Sequence, residues 1–307
     1  MRTIAACLAL GLLWAVPGLA QDPSSTKDGG GPLWGFLRIR NDSTGQITDL
    51  QQIENGKPAQ VQFIQDRQAG TDVWNVDIAA FMVKTLYSYA SDPNRPDAGG
   101  NHLSSAVLLP TLVWNRLSGV GAKDVNLLTA KLGAAAVFFQ PTGPAQEVRL
   151  YADYSRDAVS GGRFMDGELF YEAIYQPWGL GAFNTSKSLS LAYRWKLEPG
   201  LTGRHVFDAG TDPKLAAHRQ NLWLSPRAEL AIHSTADGWN RLKLTLSYAY
   251  YWGWAGSLGK IYLFTGDLSG ALDDQGHYTA ELTYKKGSAT LIQVPVDQTQ
   301  LGIGIKY

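Results

Sequence analysis

The chain has 307 residues, 27 Lys and Arg against 27 Asp and Glu, and one cysteine, Cys7. A formally neutral chain has no charge excess that would suggest a nucleic-acid partner. A lone cysteine this close to the start leaves the rest of the chain no disulfide framework and no thiolate metal site. After the first 20 residues, no stretch stays apolar for the ~18 residues that a transmembrane helix needs.

Met1-Arg2 gives a charged start, Thr3 to Gly18 is almost wholly apolar, and Gly18-Leu19-Ala20 supplies small residues for cleavage after Ala20. Together they read as a secretory signal peptide over 1–20. Ile4-Ala5-Ala6-Cys7 fits a lipoprotein-type box, but only six residues precede the cysteine. Loss of Arg2 with the signal leaves 26 basic residues against 27 acidic ones, a net charge of −1.

Residues 21–58 read as an N-terminal lead or partial plug, with Gln21 to Gly31 rich in Ser, Gly and Asp. Leu33 to Arg40 alternates weakly, and Val61 to Asp66 is a short strand. Trp74, Val76, Ile78, Ala80 and Met82 share one face of the next. Val107 to Arg116 is apolar on both faces and holds Pro110, so a bulge or an irregular strand is expected there.

The period then becomes a clean 2, the mark of a strand with one apolar and one polar face. Leu128 to Phe138 opposes Thr129, Lys131 and Gly133, and Pro141-Thr142-Gly143-Pro144 turns the chain. Val148, Leu150, Ala152 and Tyr154 alternate with Arg149, Tyr151, Asp153 and Ser155. Similar runs follow at 168–175, 188–197, 227–233, 241–250 and 277–285, with a weaker one at 260–267. Glu198 to Asn221 is the longest polar interval of the second half and reads as a loop with a short helix at Asp212 to Gln220.

The last stretch, Thr299 to Tyr307, sets Leu301, Ile303, Ile305 and Tyr307 against Gln300, Gly302, Gly304 and Lys306. It resembles the C-terminal signature strand of Gram-negative outer-membrane β-barrels, which more often ends in Phe. That resemblance implies recognition of the strand ending in Tyr307 by the outer-membrane assembly machinery, and contact with outer-membrane lipid. Segments near ten residues match the length of a tilted membrane strand, and ten Trp with fourteen Tyr suit bilayer interfaces. The expected fold is all-β: one transmembrane up-and-down antiparallel barrel of about 12 strands over 59–307. Counting Leu33–Arg40 would give thirteen.

The terminal strand of such barrels ends on the periplasmic side. Counting back makes 198–221 an extracellular loop and 141–144, 235–238 and 273–276 periplasmic turns. It also puts the unexpectedly long connection 88–105 on the periplasmic side.

The polar faces carry Arg149, Asp153, Glu168, Glu172, Arg194, Lys196, Arg227, Glu229, Arg241, Lys243 and Glu281, which would line the lumen. Arg194, Lys196, Arg227, Arg241 and Lys243 lie on consecutive strands and would form a basic strip favouring anions. The other reading is a packed network in which Glu168, Glu172 and Glu229 neutralise those cations and brace the wall.

His102-Leu103-Ser104 followed by Asn115 resembles the outer-membrane phospholipase A family. That likeness implies Ser104 as nucleophile, His102 as base and Asn115 as orienter. The family's Ser-Asn-Gly is here Ser104-Ser105-Ala106. His205, His218, His233 and His277 have no metal-ligand spacing, and no phosphate loop appears, so neither metal nor cofactor is expected. Three readings stand: a channel for small hydrophilic solutes, a serine-dependent lipid hydrolase, and a non-conducting structural or receptor barrel.

Overall fold

The computed structural model describes residues 37–40, 59–67, 70–89, 100–120, 124–186, 188, 190–236, 242–256, 260–273, 278–288 and 295–305. The signal segment, most of 21–58, Arg241, His277 and the terminal Tyr307 lie outside the described residues.

The chain enters the wall at β1 (Leu37–Arg40), β2 (Ala59–Asp66), β3 (Thr71–Met82), β4 (Lys84–Ser88) and β5 (His102–Val120). Then come β6 (Val125–Phe139), β7 (Ala145–Asp157), β8 (Arg163–Ile174), β9 (Asn184–Ser186), β10 (Leu191–Glu198) and β11 (Gly200–Asp208). A short helix α1 (Pro213–Ala217) precedes β12 (Gln220–Leu224), β13 (Arg227–Ser234) and β14 (Leu242–Ala255). The wall ends with β15 (Ile261–Ala271), β16 (Tyr278–Ser288) and β17 (Pro295–Ile305).

β17 pairs with β2, from Ile305↔Ala59 to Gln298↔Asp66, and closes the sheet into a barrel. β3 with β4, β10 with β11 and β12 with β13 each form one wall strand, so the wall has 12 strands, all antiparallel to their neighbours. The rim holding Ala59 and Ile305 is called the near rim, the opposite one the far rim. β1 pairs with Ala79–Met82 and continues the lane of β2 along β3, so it adds no strand to the ring.

Closure removes the sheet edges that lipid could not satisfy. The outward residues are large and apolar: Leu301 is 63% exposed, Ile303 59%, Leu150 55% and Leu132 53%. Their strand neighbours Gln300, Gly302, Arg149 and Tyr151 are buried. Apolar outside and polar inside is the reverse of a soluble protein, whose apolar patches reach only a few hundred Å². The chain folds as a transmembrane β-barrel of the outer-membrane type.

Pro110, Pro199 and Pro226 face outward in the wall. Pro110 produces no bulge: Thr111↔Phe81 and Leu108↔Lys84 keep one register across it, as do Leu109↔Gly133 and Thr111↔Lys131 on the other side. The interruption beside it is at Val83, between β3 and β4. The register shift of this strand falls at Leu103/Ser105 instead. Both faces here are apolar because Val107 and Leu109 join Phe81, Ala135, Tyr151 and Phe170 in an apolar cluster on the inner wall.

Glu198–Asn221 is not the expected loop. β10 and β11 carry the strand to Asp208, and the connection is only 209–219, with α1 at Pro213–Ala217. Pro199-Gly200 looks like a turn signal but lies in mid-strand. Glu198↔Arg227 and Leu201↔Leu224 share one register, which sets Pro199 directly opposite Pro226. Tyr171 N–H donates to the Pro199 carbonyl at 3.1 Å and Tyr250 N–H to the Pro226 carbonyl at 3.0 Å. Neither proline has an N–H to return. Both missing donors therefore fall on the flanking seams, and the central pair keeps its register.

Below Tyr171 the wall parts. β8 stays on β7, while the near-rim half of β10 is covered by the segment 175–186. Trp195 N–H donates to Gly179 O at 2.8 Å, Gly181 N–H to Trp195 O at 2.8 Å, and β9 pairs with Leu191–Tyr193. Gly179 and Gly181 have φ of 67° and 68°, where a side chain is strained. A β-carbon on Gly181 would also meet Glu172 Oε1 at 2.9 Å.

Candidate functional site: the inner wall

Alternation places the expected polar residues on the inner face, and there the wall divides into three sectors. Across β7, β8, β10, β11 and β13 it is ion-paired and tight. Arg149 is 2% exposed, Lys196 2%, and Glu147 and Glu172 are fully buried. Arg149 Nη2 reaches Glu172 Oε2 at 3.2 Å and also donates to Glu198. Lys196 Nζ lies 3.4 Å from Glu172 and 3.9 Å from Glu198. Arg204 grips Asp166 in bidentate fashion, Nε–Oδ1 and Nη2–Oδ2 both at 2.6 Å. Arg227 Nη2 meets Glu168 at 2.9 Å and lies over the Phe170 ring at 4.0 Å. Arg194 Nη2 meets Glu229 at 2.7 Å.

Arg194, Lys196 and Arg227 of the expected basic strip are thus engaged by carboxylates, and its remaining described cation is Lys243. That residue is half-buried on β14, in register with His233 and Ser269. Charges removed from water are tolerated only when paired with good geometry. One group departs from that rule. Glu147 faces Glu172 directly across β7 and β8, and neither Glu147 oxygen nor Glu172 Oε1 accepts a hydrogen bond. Its nearest cation contact is Arg149 Nε at 3.7 Å.

The second sector, from β5 through β3 and β2 to β17 and β16, is a ladder of amides. Asn115 Nδ2 donates to Asn75 at 3.2 Å, Asn75 Nδ2 to Gln62 at 3.2 Å, and Gln62 Nε2 to Gln60 at 2.7 Å. Gln60 donates to Glu281 across Gly302 of the intervening strand. Thr283 Oγ1 bridges Glu281 at 3.1 Å and Asp267 at 2.8 Å. Gln300 and Gln298 extend the ladder to Asp66.

The third sector, β13 to β15, carries small hydroxyl side chains. Thr245, Ser247, Thr265 and Ser269 face inward and are half-buried, as are Glu229, His233 and Lys243. Most inner positions of the ion-paired sector are shut off from solvent, whereas these are not.

The three residues of the phospholipase likeness do not come together. His102 and Asn115 lie on the same strand, 13 residues apart, which is about 40 Å along the wall. His102 stacks on Tyr89 at 3.9 Å near the near rim, and its Nδ1 lies 2.8 Å from Gly100 O. Ser104 falls in the β-bulge, and Asn115 belongs to the amide ladder. Among the described residues no three His, Cys, Asp or Glu side chains gather as a metal would need.

The amide ladder, the hydroxyl sector, the Glu147–Glu172 pair and the Arg204–Asp166 pair were not singled out from sequence. Gln60 and Gln62 do alternate with Val61 and Phe63, and a search for neutral polar alternation finds them. Arg204 is hidden by the proline-glycine pair ahead of it.

No protein-family model matches the chain, and no curated protein matches it. The β domain of the Bordetella autotransporter BrkA is similar in structure, with a TM-score of 0.43 and 11% identity over 89% of this chain and 98% of that one. The KdgM porin gives 0.38 and 10% over 81% and 98%. The translocator domain of autotransporter NalP from Neisseria meningitidis gives 0.37 and 11% over 100% and 97%.

Proposed function

We propose that the chain is an outer-membrane channel for passive diffusion of small hydrophilic solutes. The observation that carries this is the half-buried hydroxyl sector of β13 to β15. Thr245, Ser247, Thr265 and Ser269 offer donors and acceptors without bulk or net charge. The adjoining ion-paired sector acts as a rigid wall, because its charges satisfy one another instead of a passing ion. Selection then rests on size and hydrogen bonding more than on charge. The near rim faces the periplasm, and the signal segment 1–20 directs export.

Liposome swelling tests the reading. Proteoliposomes should swell in isotonic sugars at rates that fall with sugar size. Swelling no faster than that of protein-free liposomes would refute it.

A further inference from the structure

The outer face is apolar along most of the wall, but one patch at the far rim is cationic. Arg156 and Arg163 point outward from β7 and β8 and stand directly opposite each other in register. Like charges placed so repel. Arg163 is relieved by Asp208, whose carboxylate lies 3.0 Å from its Nη2. That contact exists because the register shift between Val206 and Asp208 turns Asp208 out of the inward alternation. Arg156 has no such partner among the described residues. Arg116, two strands away on β5, and Arg219, beside β11, are also exposed. Among the described residues, the half-exposed Asp208 and the exposed Asp124, which directly precedes β6, are carboxylates at this rim outside the wall's interior.

Immediately toward the membrane centre the same strands present Tyr154, Met165 and Phe207, 43%, 45% and 51% exposed, with the Tyr154 and Phe207 rings 6.1 Å apart. An apolar aromatic surface topped by cations matches the profile of a bilayer interface, acyl chain below and headgroup above. Guanidinium groups also suit phosphate oxygens geometrically.

We infer that Arg156 and Arg163, with Arg116 beside them, bind the phosphate of an anionic lipid headgroup while its acyl chain lies on Tyr154, Met165 and Phe207. The lipid relieves the repulsion between the two arginines. The inference rests on the membrane-facing reading of the outer wall and is independent of conduction.

The test uses the full chain in nanodiscs of phosphatidylcholine with a minority of phosphatidylglycerol, the co-retained lipid being counted by native mass spectrometry. Phosphatidylglycerol should be enriched about threefold over its bulk share, the scale of exposed ion pairing. Arg156→Gln, which breaks no ion pair among the described residues, should lower the enrichment, and adding Arg163→Gln should abolish it. Lys286→Gln, on the outer face elsewhere, should leave it unchanged. No enrichment, or enrichment that survives the double substitution, overturns the site. Displacement of the lipid by millimolar inorganic phosphate overturns the lipid as occupant. Protein absent from the disc fraction overturns the membrane reading itself, a result distinct from insertion without enrichment.

Discussion

Arg149 holds Glu172 at 3.2 Å across the inner wall, and both side chains are shut off from solvent. Around them three carboxylates, Glu147, Glu172 and Glu198, meet two cations, Arg149 and Lys196. The balance is one negative charge too many, and Glu147 is the member with no hydrogen bond. Arg149→Ala should therefore cost about 3–5 kcal/mol, because it strands buried carboxylates. Glu147→Gln should cost less than about 1 kcal/mol or stabilise the barrel, since it removes the excess charge at constant size. Urea unfolding of the refolded protein in lipid vesicles measures both.

Phe170 lies across Gly200 on the neighbouring strand, and a β-carbon there would run into the ring. Tyr151 covers Gly133 in the same way, at 2.8 Å. Gly200→Ala should destabilise by about 1–3 kcal/mol through overpacking. Pairing it with Phe170→Leu should recover part of that loss. Two separate losses that simply add would contradict direct packing of the ring on the glycine.

Pro199 and Pro226 face each other across two lanes, and each removes a donor from a flanking seam. Pro199→Ala should return a hydrogen bond to the Tyr171 carbonyl and stabilise by about 1 kcal/mol. Hydrogen exchange should then slow at Tyr171 N–H, which bonds across that seam. Unchanged exchange there would show that the proline does not weaken it.

Glu229 joins the rigid sector to the hydroxyl one: it pairs with Arg194 at 2.7 Å and stands in register with Ser247. Glu229→Gln removes a negative charge beside the proposed solute path. The reversal potential under a salt gradient should move toward anion selectivity. A shift toward cations, or none, would place the path elsewhere.

The ring of strands was legible because lipid and lumen impose a strict period of 2 on β7, β8, β13, β14 and β16. Where the inner face is itself apolar, as at Val107 and Leu109, that contrast vanishes and the strand looks irregular. The continuation through Pro199-Gly200 was hidden for another reason. Proline and glycine signal turns by local geometry, while here an opposed Pro226, distant in sequence, keeps the register. Gly203 and His205 on the outer face erased the alternation as well. The ion pairs were half legible: charges on one face can be listed from the chain, but their partners depend on registers such as Glu198↔Arg227. The His102, Ser104 and Asn115 likeness shows the limit of spacing, since a continuous strand carries the first and last of them apart.

Single-channel recording in a planar bilayer tests the central claim most directly. The refolded full chain should give stable current steps, with weak charge selectivity because Arg149, Arg194, Arg204 and Arg227 of the inner wall are paired. A barrel that is folded and inserted but silent would contradict the channel reading, and would make the ion-paired and amide sectors the packing of a closed, non-conducting barrel.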